Sequence, residues 1–137
     1  MKKSALLLFA LFSAMTIFAL DHNDKYPFVV KFNSFGTGVS SDKPLLIYIA
    51  AFKKKYKIKK ITYMRIGPMG REGEYYMAFP LKEMNKAQSA IFIRDVKNVA
   101  VKIKDKGSVD TEINYEAGAD SPKPEKKIIR TEIKKHP

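Results

Sequence analysis

Reactive side chains are scarce in this chain, and where they fall decides what chemistry it can do. Cysteine is absent, which removes thiol nucleophiles, thiolate metal sites and disulfides together. The two histidines, His22 and His136, stand near the chain ends, outside the patterned region. Histidine-based triads and most zinc sites therefore have no members to draw on. A serine–lysine dyad, for instance Ser40 or Ser41 with a nearby lysine, is a pairing that chance supplies in a lysine-rich chain. Glu72 and Glu74 flank Gly73 beside Arg71, and Asp105 and Asp110 sit near a turn. Acid–base catalysis needs two carboxylates whose surroundings push their pKa values apart. Turn acids in water beside a guanidinium both stay ionised. The expectation is a binding protein and not an enzyme, with no catalytic residue, no cofactor and no metal.

Two segments are suited to binding. Lys53, Lys54, Lys55, Lys57, Lys59 and Lys60 put six lysines into eight residues, forming a positive corner able to meet an anionic partner. The second is the glycine-rich run Gly67-Pro68-Met69-Gly70-Arg71-Glu72-Gly73. With Arg65 it offers a contact loop in which Arg65 and Arg71 supply charge, and Pro68 and Met69 supply exposed apolar groups. No helix start follows this run, so it is neither a P-loop nor a dinucleotide fingerprint. The formal net charge is +12, from 26 basic against 14 acidic residues. The partners this favours are an anionic polymer, a membrane surface or an envelope protein.

The elements that must carry these segments can be read from periodicity. Phe28, Val30 and Phe32 alternate as a first strand. Ser41 or Asp42 can cap a helix with Pro44 in its first turn; Leu45, Ile49, Phe52 and Tyr56 form its buried stripe. Lys57–Ile66 reads as a second strand, and Glu74–Phe79 as a third that is apolar on both faces. Asn85 and Gln88 make a capping box for a second helix running to about Asn98, with Ala87, Ala90, Ile91, Phe92 and Val96 facing inward. Val99–Lys104 alternates as a fourth strand, and Val109, Thr111, Ile113 and Tyr115 offer an extra C-terminal one. This order predicts an α+β fold, a split βαβ (ferredoxin-like) βαββαβ sandwich with two helices on one face of an antiparallel sheet. The first and third strands would be central, and the lysine-bearing second and fourth would be edges.

Domain organisation follows. Residues 1–20, with Lys2 and Lys3 ahead of an uncharged apolar run, have the layout of a signal peptide. Cleavage near Ala19/Leu20 would export the protein to the periplasm or beyond. The run is also just long enough to stay as an N-terminal membrane anchor, the alternative reading. Residues 21–116 form the single domain, and residues 117–137 read as a flexible basic tail, in which Ile128, Ile129 and Ile133 could dock or add a strand. The segment Gly73-Glu74-Tyr75-Tyr76-Met77-Ala78-Phe79 resembles the aromatic third-strand motif of RNA-recognition domains, with Tyr76 and Phe79 near the matching places. Glu74 stands where that motif wants a stacking aromatic, and an acid there repels phosphate. With an export signal as well, nucleic acid is not the expected partner.

Overall fold

The computed structural model describes residues 25–130. The proposed signal segment, His22, Ile133 and His136 lie outside that range. The chain is α+β, running β1 (Lys25–Ser34), α1 (Lys43–Tyr56), β2 (Lys60–Met69), β3 (Glu74–Phe79), α2 (Lys86–Ala100), β4 (Gly107–Glu116) and β5 (Glu125–Arg130). The five strands form one sheet in the order β4-β1-β3-β2-β5. Every neighbouring pair is antiparallel.

Alternation along β1 sends Phe28, Val30 and Phe32 to one face, where both helices pack. Leu45, Ile49 and Phe52 come from α1, and Phe92, Val96 and Ala100 from α2. Phe92 is the hub, with ring centroids 5.3 Å from both Phe52 and Phe79. The capping box of α2 is formed: Asn85 accepts from the Gln88 N–H at 2.8 Å, and Gln88 accepts from the Asn85 N–H at 3.1 Å. At the start of α1 the Ser41 hydroxyl accepts from the Lys43 N–H at 3.2 Å. Asp42 makes no capping bond; its carboxylate accepts instead from the Tyr75 hydroxyl at 2.8 Å.

Several expectations are corrected. Val99–Lys104 is not a strand: α2 continues to Ala100, because Phe92, Val96 and Ala100 recur every four residues on its buried side. The fourth strand is the segment expected as an extra one, shifted to Gly107–Glu116. Ala87 and Ala90 face solvent. The strand β2 begins at Lys60 rather than Lys57 and runs on to Met69, leaving a shorter turn. It is not an edge, because β5 pairs with it from Lys60↔Arg130 to Arg65↔Glu125. The segment expected as a flexible tail thus supplies a strand at 125–130.

The link between β4 and β5 is topologically constrained. Glu116 lies level with Lys25, and Glu125 lies level with Arg65, Met77 and Val30. Crossing four strand spacings and five residue rows takes about 25 Å, and the nine steps from 116 to 125, three of them folded into the turn closed by the Ser121 N–H on the Gly118 carbonyl, reach only about 27 Å. A detour around the sheet end would be longer than that, and the helices fill one face. The face opposite the helices carries a second, smaller apolar cluster. Val29, Ile66 and Ala78 are fully buried on that face, with Met64, Tyr76 and Tyr115 packed beside them. Tyr115 joins this group although Val109, six residues earlier, faces the helices. Asn114, at a φ of 56°, breaks the alternation between them.

Candidate functional site

The six lysines singled out above gather where α1 hands over to β2. Lys53, Lys54 and Lys55 occupy the last turn of α1, where cations complement the helix dipole. Lys57 ends the helix with a left-handed φ of 55°, a position that favours glycine. Its N–H donates to the Lys54 carbonyl, and the Ile58 N–H donates to the Lys53 carbonyl at 2.9 Å. Ile58 is buried beneath this turn, which holds it shut. Lys54, Lys55, Lys57, Lys59 and Lys60 face solvent, whereas Lys53 is buried, and burial pushes its ammonium pKa down.

The structure adds a member that sequence reasoning missed. Arg130 of β5 stands directly opposite Lys60 of β2. Like charges across a strand pair repel. Neither residue has an ion pair among the described residues, where the four pairs join Lys25 to Glu116, Lys31 to Glu112, Arg94 to Asp95 and Lys127 to Glu125. The signal that could have found Arg130 was the Ile128-Ile129 pair beside it, which marks a strand but does not name its partner.

The predicted contact loop does not stay together. Arg65 is inside β2, its guanidinium 3.7 Å from the Tyr75 ring centroid, and Tyr75 stacks in turn on Phe32 at 4.8 Å. Pro68, after a cis peptide bond from Gly67, and Arg71 are exposed, while Met69 is half-buried. Glu74 is occupied structurally, accepting from the Ser34 N–H at 3.0 Å. Tyr75 is held protonated: burial raises its pKa, and the bond to Asp42 raises it further.

The candidate serines and acids near 40 and 105 serve as braces. Ser40 accepts from the N–H groups of Lys106 and Gly107 at 3.3 and 3.2 Å. Asp105 accepts from the Ser41 N–H at 3.3 Å. The Ser40 hydroxyl and that N–H hold the Asp105 carboxyl below the usual carboxylate range. Gly107 fits because a Cβ there would lie 1.9 Å from the Asn33 carbonyl oxygen. These bonds fasten the loop after β1 to the loop before β4. No group of three metal-ligating side chains occurs among the described residues, and none of their helices is long and apolar enough to cross a membrane.

Neither the models of known protein families nor the curated proteins nor the solved structures contain a match to this chain.

Proposed function

We propose that this chain is an exported, non-enzymatic binding domain of the bacterial cell envelope that contacts an anionic partner through its lysine corner. The observation that carries this reading is the crowding of positive charge there: Lys60 and Arg130 face each other, beside solvent-facing Lys54, Lys55, Lys57 and Lys59, and none of the six makes an ion pair among the described residues. Such an arrangement costs stability in the free protein and is relieved when an anion binds. Lys57 supports it too, a cation held where glycine would be easier. Export rests on the leader at residues 1–20. We also read the β4-β1-β3-β2 core with its two helices as the split βαβ, ferredoxin-like arrangement, to which β5 is an addition.

The test is salt elution from a polyanion matrix. Replacing Lys54, Lys55, Lys59 and Lys60 with glutamine is expected to lower the eluting salt concentration clearly more than replacing four lysines elsewhere, such as Lys25, Lys43, Lys86 and Lys123. Equal shifts from the two sets would mean that only net charge matters, and the corner would lose its role.

A further inference from the structure

The strand β5 is held to the rest of the domain by few side chains. It pairs with β2 from Lys60↔Arg130 to Arg65↔Glu125. Of its side chains only Ile129 packs against the main core. Glu125, Lys126, Ile128 and Arg130 face solvent, and Lys127 forms its ion pair within the strand, to Glu125. At one end of the pairing Lys60 and Arg130 repel across the strands. The hold on β5 is therefore a backbone ladder and one packed side chain, and its release leaves the helix–sheet core in place.

The connection that brings β5 to this edge has almost no spare length. The direct path from Glu116 to Glu125 is about 25 Å, and the chain between them, with its turn at Ser121, reaches about 27 Å. A path over the sheet must also rise above the side chains beneath it, which takes up the difference. Pro122 and Pro124 have fixed φ angles, so the last part of the connection cannot be rearranged to gain reach. An intramolecular contact owes its advantage to the effective concentration its tether provides, and that advantage collapses as the span meets the tether's limit. The same strand arriving from a second copy makes every β2–β5 contact without spanning its own sheet. The two forms share one strand pairing and differ in the connection, so the connection decides between them.

We propose that the β2 edge takes β5 from a second copy of this chain, so that two copies exchange these strands and form a dimer. The edge fits this occupant in particular, because its register is already set, with Ile61 against Ile129 and Arg65 against Glu125. Each lysine corner is then completed by Arg130 of the partner subunit, opposite Lys60. The chain has no cysteine, so register partners can be marked one at a time. Thr62 lies opposite Ile128. The Thr62 N–H points away from β5 and donates to the Glu83 carboxylate at 3.1 Å. Thr62 and Ile128 are therefore a non-hydrogen-bonded pair, with Cα atoms about 4.5 Å apart, close enough for a disulfide.

The test mixes a tagged full chain carrying Thr62→Cys with an untagged full chain carrying Ile128→Cys. The mixture is equilibrated at high concentration, diluted and oxidised. Non-reducing gels are expected to show the tagged–untagged heterodimer in several-fold excess over either homodimer. Inserting Gly-Ser-Gly-Ser after Ala119 in both chains lengthens the connection, and the heterodimer should then fall several-fold. Sedimentation checks the same point without cysteines: the unmodified chain should be a dimer at high concentration, and the chain with the insertion a monomer. Homodimers as abundant as the heterodimer, or a heterodimer that survives the insertion unchanged, would overturn the proposal. An unmodified chain that stays monomeric up to millimolar concentration would overturn it too. Polyanion retention that still depends on the corner would in each case leave the reading of the corner standing.

Discussion

At the scale of single residues, Tyr75 shows a polar group near the core satisfied by a partner distant in sequence. Tyr75 on β3 donates to Asp42 at the head of α1, while its ring is sandwiched between Phe32 and the Arg65 guanidinium. The hydroxyl therefore ties α1 to the sheet, and the ring secures β2. Tyr75→Phe keeps the ring and loses the bond, so it should cost about 1–2 kcal/mol, seen as a lower urea midpoint with an unchanged slope. The raised pKa of Tyr75 fixes the sign of the pH effect. Burial and the Asp42 bond both favour the protonated phenol in the folded state, as burial and Asp95 do for Tyr48. The stability this gives is complete below the unfolded tyrosine value of about 10 and is lost as pH rises through the folded value. Urea midpoints should hold level from neutral pH and fall in the alkaline range, with a shallower fall in Tyr75→Phe. Equal alkaline slopes in the two proteins would rule out this role for Tyr75. The Tyr75–Asp42 bond was not legible in the sequence, because thirty-three residues separate the two groups and either has other plausible uses. Ser41 or Asp42 reads as the helix cap; Asp42 holds the N-cap position, but its carboxylate goes to Tyr75.

At the scale of elements, the sequence was legible where pattern and core agree. Phe28–Phe32 and Glu74–Phe79 read as central strands and are central. The stripe Leu45, Ile49, Phe52 reads as a buried helix face and is one. It misled where two periods fit the same residues. Val99, Val101 and Ile103 alternate like a strand, yet Val96 and Ala100 continue the helical stripe from Phe92, and helix packing prevailed for the first of them. The strand β5 was illegible for a different reason: a lysine-rich segment behind two prolines has little to bury, and it is ordered by the β2 edge and not by its own pattern. Only Ile129 packs against the main core. Deleting residues 125–137 should therefore leave the helix–sheet core folded but uncover the edge of β2. A free edge is a template for pairing. The expected result is a lowered melting temperature together with concentration-dependent self-association by sedimentation. A monomeric truncation with an unchanged melting temperature would show that β5 contributes nothing to the domain in solution.

At the scale of the whole molecule, charge and connectivity work against each other. The connection 117–124 spans the sheet with little slack, so it fixes where β5 can lie and delivers Arg130 opposite Lys60. The fold thereby brings together cations that the open chain keeps apart. With 26 basic and 14 acidic residues, and four exposed or half-exposed ion pairs among the described ones, net repulsion should outweigh local attraction. Salt weakens both effects, but it screens the larger one to greater benefit. The melting temperature is thus expected to rise as ionic strength goes from about 0.01 M to 0.15 M, over which the Debye length shrinks from about 30 Å to 8 Å. Lys60→Gln removes one member of the facing pair, worth about 0.2–1 kcal/mol, or roughly 1–4 °C in a domain of this size. That gain should appear at low salt and fade at high salt. A polyanion that binds the corner should raise the wild-type melting temperature and have less effect on Lys60→Gln, since a ligand stabilises only the state it binds. A melting temperature that falls with salt would mean that the ion pairs dominate. The lysine corner would then be a solvated surface and not a site held ready for an anion.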